Sequence, residues 1–319
     1  MALELNQITS ITEKYFYPKL VDGIYNSNPF IARLSRPEYK KLIGGGTEIV
    51  LPVINSEPSV GGFYDDFDTL DTTPTDNITA SKHQWKQLYE PVRVSRKQVL
   101  MNSGDQAKLD LVKAKMQVAE KNMRDRLGTG LFSDGTAATG LLTTKQVTGL
   151  RAVVSTSSTY GGIAVADFAE WVGVVKTNSS TLRPLSLNLM QSTFGALKQD
   201  ADEPSVLVTT QAVYDVLWSL YQPHQRLMSE EMVNLGFKDI LTFNGKPVLV
   251  DSHCKANTIY FLNENYLHLC IHRDEDMRKE TLERLETSNS MLMRIFWMGN
   301  LAANNRRFQG ELNDIEVAA

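Results

Sequence analysis

The stretch from Gly44 to Leu127 constrains the fold most. An extended arm leaves at Gly44-Gly45-Gly46, runs along Thr47 to Ile54, crosses a polar, acidic tip between Gly61 and Asn77, and returns along Ala80 to Ser95. In the outgoing strand Ile49, Leu51 and Val53 share one face and Val50 lies opposite, the period-two pattern of a half-buried strand. Pro52 disfavours a central place in a sheet. In the returning strand Trp85, Gln87, Tyr89 and Pro91 share one face, and Val92 and Val94 lie on the other. An arm this long cannot bury itself against one small core. It asks for a neighbouring subunit, which points to assembly rather than catalysis.

A long helix follows at once, expected from Ser103 to Leu127. Ser103 and Gln106 form an S-x-x-Q capping box that satisfies otherwise orphan backbone donors. Leu109, Val112, Met116, Ala119 and Met123 recur at steps of three and four and make one apolar stripe. Gly128 stands where a left-handed C-cap belongs. At 1.5 Å per residue the helix is roughly 37 Å long. The stripe lasts too few heptads for a coiled-coil seam.

The 319 residues allow one large domain or two ordinary ones. Hydrophobic content of 42% and charged content of 22% fit a soluble globular chain. A net charge of −4 and a pI of about 5.8 argue against a basic nucleic-acid reader, so any DNA contact is local or weak. Two cysteines, Cys254 and Cys270, make no disulfide framework and fit a reducing compartment. The opening Met1-Ala2-Leu3-Glu4-Leu5-Asn6 lacks the layout of a signal peptide, and no apolar run approaches the ~18 residues of a membrane span. A cytoplasmic site of synthesis is expected.

Before the arm, residues 1–37 read as an N-terminal segment with one short helix carrying Ile11, Tyr15 and Phe16 and interrupted at Pro18. Tyr15, Phe16, Tyr17, Tyr25 and Phe30 are dense there, which fits either partner docking or packing on the chain's own core. Residues 128–160 read as a Gly/Thr/Ser-rich connection with at most short strands. Beyond it lies a compact α/β section. Phe168, Trp171, Val172 and Val175 predict a helix, as do Leu187, Met190, Phe194 and Leu197. A buried strand is expected at Ser205 to Val208, then a helix capped by Thr209 or Thr210 and carrying Val213, Val216, Leu217 and Leu220. Asn244-Gly245 suits a type I′ hairpin between Ile240–Phe243 and Pro247–Val250. Strands follow at Ile259–Leu262 and Tyr266–Ile271. Met277 to Gln309 reads as two strands about Thr287-Ser288-Asn289-Ser290.

Catalytic motifs are missing. Phe132-Ser133-Asp134-Gly135 has the wrong residues before the serine for a nucleophile elbow, and neither a P-loop nor a dinucleotide fingerprint occurs. His268, Cys270 and His272 alternate on one strand face, and His253-Cys254 could add a ligand, but the spacing matches no common zinc motif. A structural strand is the preferred reading. Asp65, Asp66, Asp68 and Asp71 at the arm's tip lack the calcium-loop pattern and read as a solvated or partner-facing loop. His224, in a polar loop, is weak evidence for acid–base work. No catalytic, metal or cofactor site is therefore assigned. A soluble hydrolase built on the 128–140 loop and His224 is the alternative these residues leave.

The order of arm, long helix, α/β section and returning strands resembles the major capsid protein of tailed bacteriophages, the Hong Kong 97 phage fold shared by encapsulins and the herpesvirus capsid floor. Phe243-Asn244-Gly245-Lys246-Pro247-Val248-Leu249-Val250-Asp251 and Thr258-Ile259-Tyr260-Phe261-Leu262-Asn263 look like that family's axial-domain strands. The resemblance implies an α+β fold with an N-terminal arm at 1–43 and an extended β-hairpin loop at 44–95. It implies a peripheral domain at 96–160 and 275–319 with the long helix as its spine, and an inserted α/β axial domain at 161–274. It implies a shell protein that assembles with itself into pentamers and hexamers around double-stranded DNA held non-specifically, in the virion, without an enzyme activity or cofactor. Portal, a separate scaffolding protein and a decoration protein are the implied partners, and an encapsulin-type compartment is the alternative. Subunit contacts are expected at Tyr15, Phe16, Tyr17, Phe63, Tyr64, Asp65, Asp66, Asp68, Trp85 and Tyr89. Some relatives cross-link Lys to Asn. Lys82 and Lys86 lie on the returning strand, but no acceptor is identified, so that activity is not carried over.

Overall fold

The computed structural model describes residues 28–54, 63–67, 69–70, 78–101, 105–136, 145–156, 159–222, 241–280, 283–284 and 289–317. A short helix, α1 (Pro29–Leu34), and an edge strand, β1 (Lys40–Ile43), precede a ribbon of β2 (Glu48–Ile54) and β3 (Ile78–Gln84). Then come β4 (Lys86–Ser95), α2 (Arg96–Met101), the long helix α3 (Asp105–Leu131) and a helical turn, α4 (Leu150–Val153). The middle section holds β5 (Val174–Lys176), α5 (Leu187–Leu197), β6 (Val206–Thr209), α6 (Gln211–Tyr221), β7 (Thr242–Phe243), β8 (Lys246–Val250) and β9 (Ile259–Leu262). The last described strands are β10 (Leu267–His272), β11 (Arg278–Lys279), β12 (Glu283–Arg284), β13 (Ser290–Ala303) and β14 (Gly310–Leu312).

The first sheet is built on β13. One edge pairs antiparallel with β4 from Ser290↔Ser95 to Gly299↔Lys86. The other pairs with β12, β11 and β10, and β10 carries β1 in parallel. The returning strand expected as one piece from Ala80 to Ser95 therefore divides at Trp85: β3 stays with β2 and β4 belongs to the sheet. Asn300 marks the division. Its Nδ2 donates to Gln84 O at 2.9 Å, and its Oδ1 accepts from Thr148 N at 2.8 Å, so its side chain replaces the next ladder contact. Trp85 Nε1 donates to Gly46 O at 2.9 Å and holds both legs of the ribbon at the root.

The expected faces of the ribbon hold. Ile49 and Leu51 are buried over Cys270 and Ala302 of the sheet, and Val53 joins the main core. Val50, Ile54 and Ile78 are left exposed on the outer face. Val92 and Val94 of β4 are buried as expected, with Glu90 beside them.

Helix α3 packs on β4, and Met116, Ala119 and Met123 of the apolar stripe read in the sequence are buried, with Leu127 and Leu131 buried further along the helix. The side chains of Leu109 and Val112 and the cap at Ser103 lie outside the described residues. The buried carboxylate of Glu90 faces the helix, accepting from Asn122 Nδ2 at 2.8 Å and pairing with Arg126 at 3.5 Å. The helix does not stop at Gly128 but runs to Leu131, about 40 Å in all. Glycine is needed there for contact, not for a turn. A Cβ on Gly128 would lie 2.5 Å from His253 Nδ1 and 2.8 Å from Asn28 Nδ2. His253 in turn reaches Asp125 of the helix at 3.0 Å and Asp251 at 3.1 Å.

The second sheet has the order β5-β14-β9-β6-β8-β7. Every residue of β6 and β9 is buried, because both faces are covered. Leu207 and Phe261 face α5 and α6, while Val208 and Tyr260 face the main core beneath Phe132. Asn244 and Gly245 take φ of 49° and 75°, the left-handed pair of the expected turn. Ser186 caps α5 by accepting from Leu189 N at 3.2 Å. Thr210 precedes α6 without a side-chain cap bond, and Thr209 Oγ1 donates to Thr258 O instead.

Three further expectations fail for identifiable reasons. Phe168, Trp171, Val172 and Val175 form no helix. Trp171 plugs the core from a turn with Nε1 on Tyr160 O at 3.1 Å, and Val175 sits on β5. Phe30, read as either a docking or a core residue, takes the core place: it is fully buried 5.4 Å from Phe132, and Arg33 beside it forks onto the buried Glu264 with two bonds of 2.7 Å. Residues Asn28 to Ile43, expected in a free arm, are thus built into the body. At the other end β14 pairs with β5 and β9, so Gly310–Leu312 joins the sheet of the middle section rather than the first sheet. Buried Arg306 spans that junction, donating to the carbonyls of Ala152, Val153, Ser155 and Trp171.

Two predictions follow from this packing. Gly128→Ala gains about 1 kcal/mol of helix propensity, yet the clash with His253 makes the variant less stable by about 1–3 kcal/mol. Denaturant midpoints decide the sign, and a raised midpoint would show that the ring simply moves aside. The second concerns pH. Burial lowers the pKa of His83, under the ribbon, and of His268, in β10, from 6.5 to about 4. The unfolded chain binds protons first, so their contribution is complete above about pH 6.5 and is lost as pH falls towards 4, on the order of 3 kcal/mol for His83. His83→Gln should flatten the fall in stability between pH 7 and 4.5, and an unchanged slope would refute burial as its cause.

Candidate assembly interface

The ribbon lies on the body by its Ile49, Leu51 and Val53 face and bears the tip at the end opposite its root. From the pairing of Glu48 with Gln84 to that of Ile54 with Ile78 it rises six residues, roughly 20 Å. Of the expected contact residues, Phe63 and Tyr64 are 111% and 70% exposed at the tip. Phe67 at 101% and Leu70 at 58% join them. Asp65 and Asp66 are exposed between the aromatics, and the Asp65 carboxylate accepts from Asp66 N at 2.9 Å. An apolar group in water loses roughly 1.5–3 kcal/mol relative to burial, so this tip is shaped for a surface it does not find on its own chain. Tyr15, Phe16, Tyr17 and Asp68 lie outside the described residues.

Trp85 and Tyr89 sit apart from the tip. Trp85 is half-buried at the ribbon's root with its ring edge-on to His272, which makes it a structural pin. Tyr89 is exposed on the outer face of the first sheet, 6.5 Å from Phe296, whose ring lies 4.8 Å from the Arg278 guanidinium. Phe296 and Arg278 were not singled out in the sequence. Their signal is the alternation along β13, where buried Ile295 and Trp297 leave Phe296 on the opposite face.

A cleft of about 680 Å³ opens at the ribbon's root, against Asp134, residues 148–155 and residues 159–162. Lys82, Lys86 and Arg151 line it with Glu48 and Asp134. Lys82 and Arg151 are exposed, and no salt bridge joins either to a described residue. Burial lowers the pKa of Lys86. The Asp134 carboxyl is held below its ordinary range by the Thr136 hydroxyl and then by its backbone N–H and Arg151. His83 lies in the wall and is neutral near pH 7, so the cations set the sign of the cleft. Lys82 N donates to Gly161 O at 2.7 Å and closes the wall.

The residues weighed for chemistry are spent on structure or lie elsewhere. Ser133 Oγ donates to Val147 O at 2.8 Å and accepts from Gly135 N. Cys270, between His268 and His272, is buried under the ribbon, and burial raises its thiol to about 11. His253 is turned to α3 instead. Among the described residues no three His, Cys, Asp or Glu side chains gather as a metal set, and no described helix is long and apolar enough to cross a membrane. His224 lies outside the described residues.

No family model and no curated protein matches the sequence. Solved structures do resemble the fold. The capsid of cyanophage A-1(L) superposes with a TM-score of 0.69 at 17% identity, covering 90% of this chain and 93% of that one. The procapsid protein of satellite phage P4 gives 0.57 at 12%, covering 94% and 91%. The SrpI encapsulin of Synechococcus elongatus PCC 7942 gives 0.51 at 10%, covering 90% of each. At these identities the likeness establishes architecture: the chain has the α+β fold of tailed-phage capsid proteins, over nine-tenths of its length.

Proposed function

We propose that the chain is a major capsid protein that assembles with itself into pentamers and hexamers and closes an icosahedral shell around phage double-stranded DNA. The observation that carries this reading is the ribbon: a body of capsid fold bears an arm whose tip residues Phe63 and Phe67 are fully exposed. A neighbouring subunit covers them in the shell. The ribbon also offers the outer edge of β2, which pairs with no second strand among the described residues, and strand addition there supplies backbone bonds for affinity and side chains for register. Contacts of this head-to-tail kind close into rings, and closure multiplies modest contacts through effective concentration.

In this reading the ribbon is the extended loop, α3 the spine of the peripheral domain, and the second sheet with α5 and α6 the axial domain facing the symmetry axes. The net charge of −4 suits a wall that encloses DNA without gripping it. The shell is assembled in the host cytoplasm and resides in the virion. Portal, a separate scaffolding protein and a decoration protein are the partners this role calls for. No catalytic role is assigned. An encapsulin-type compartment is the second reading, supported by the likeness to the SrpI shell. The contents of purified shells, DNA or protein cargo, separate the two.

The tip can be removed without disturbing the ribbon. Deleting residues 56–76 joins Asn55 to Asn77 between the facing ends Ile54 and Ile78, leaving a two-residue turn that asparagine accommodates. The expected product is a folded subunit that sediments as monomers or small rings, while the full chain gives closed shells in negative stain. Shells of normal size from the deletion would falsify the arm's role.

A further inference from the structure

The tip and the cleft lie at opposite ends of one ribbon, and the tip is acidic while the cleft carries three cations, Lys82, Lys86 and Arg151, against two carboxylates, Glu48 and Asp134. From Pro52 to Ser81 the sequence holds no lysine, arginine or histidine, while Asp65 and Asp66 stand exposed among the tip's aromatics. At the root, Lys82 and Arg151 project into a cleft of about 680 Å³, flanked by Lys86. The volume exceeds what two or three side chains fill, and lies in the range of sites that enclose a ligand of some size. Its wall includes Gly162, where a Cβ would meet nothing within 4 Å, so a chain can approach the backbone closely.

A chain does not fill its own cleft. The ribbon separates root from tip by roughly 20 Å, and Phe63 and Phe67 are fully exposed rather than inserted. We propose that the cleft at the ribbon's root receives the acidic, aromatic tip of a neighbouring copy, with Asp65 and Asp66 set against Lys82 and Arg151. The pairing is heterologous. Each subunit gives a tip and takes one, and because donor and acceptor lie at the two ends of one ribbon, the contact sets the rotation between neighbours. Opposed charge selects this register, and the aromatics supply the buried area. The inference rests on the shell reading above and names the surface that the arm engages.

The test is a charge exchange in the full chain, read by sedimentation and negative stain at moderate salt. Asp65→Lys with Asp66→Lys, and separately Lys82→Asp with Arg151→Asp, should each lower the yield of closed shells roughly tenfold or more, the scale of about 1.4 kcal/mol per contact. All four changes together should restore it. Since all four side chains are exposed, circular dichroism melts serve to confirm that every variant is folded. A second measurement avoids substitution. Zero-length carbodiimide coupling of shells mixed from ordinary and 15N-labelled subunits should join Asp65 or Asp66 of one copy to Lys82 of another. Wild-type yield from either charge-reversed pair, failure of the folded four-fold variant to recover, or absence of that cross-link would each overturn the pairing while leaving the shell reading intact. A full chain that forms no shells at all would remove both.

Discussion

The antiparallel ladder between β4 and β13 is the constraint on which the remaining architecture depends. It runs in unbroken register from Ser290↔Ser95 to Gly299↔Lys86. Because β4 follows the ribbon and precedes α3, the ladder fixes three things at once. It anchors the ribbon's root at Trp85, it presents Val92, Val94 and Glu90 as the bed for α3, and it places a strand distant in sequence at the centre of the first sheet. A shift of one residue would turn Val92 and Val94 outward and set Arg93 against Met116 and Met123. Register is therefore strongly specified. The Glu90 carboxylate reinforces it, since its partners Asn122 and Arg126 reach it only when β4 and the helix are correctly aligned.

The two sheets are joined through shared core, not through a linker. Leu131 and Phe132, at the end of α3, pack with Tyr260 and Val208 of the second sheet, and Phe30 closes the same cluster from α1. Polar ties hold its margins. Arg306 saturates four backbone carbonyls between α4 and Trp171, and its guanidinium lies 5.0 Å from the Tyr160 ring centroid, beside His83 of the ribbon. Burial lowers the pKa of Arg306 to about 10, which still leaves it charged near neutrality. Removing a buried ion's partners costs far more than the ion contributes, so Arg306 acts on arrangement. It requires α4, the Trp171 turn and the approach to β14 to meet at one point.

What could be read in the sequence was whatever local periodicity decides. The stripe on α3, the two faces of β2, the Asn244-Gly245 turn and the amphipathic helices α5 and α6 all follow from spacing of one element against one covering layer. What could not be read was decided by contacts distant in sequence. Gly128 looks like a helix stop, because nothing local shows that His253 and Asn28 will occupy the place of its missing side chain. Trp171 and Val175 keep helical spacing, yet one plugs the core from a turn and the other lies on an edge strand. Phe30 could dock a partner or pack on its own core until its neighbour Phe132 is known. At the interface the same division holds. The acidic tip is visible in composition, but the cleft is not, because Lys82, Asp134 and Arg151 converge only once the ribbon is seated on the body.

Exposed aromatics on a soluble arm are an aggregation hazard unless something limits how they pair. In the pairing proposed for this chain the limit is electrostatic. Two tips meeting each other would bring Asp65 and Asp66 against their own kind, whereas a tip meeting a root meets a cleft in which Lys82, Lys86 and Arg151 outnumber Glu48 and Asp134. Like-charge contact disfavours the symmetric encounter and opposite charge favours the head-to-tail one. Each such contact is partly solvated and screened over about 8–10 Å at ordinary ionic strength, so alone it is weak and reversible. That weakness is useful: wrongly angled pairs dissociate, and only geometries that close gain the multiplied strength of a ring. In that pairing the ribbon, anchored at one end by the β4–β13 ladder and bearing acidic charge at the other, converts a local meeting of carboxylate and cation into an angle between subunits.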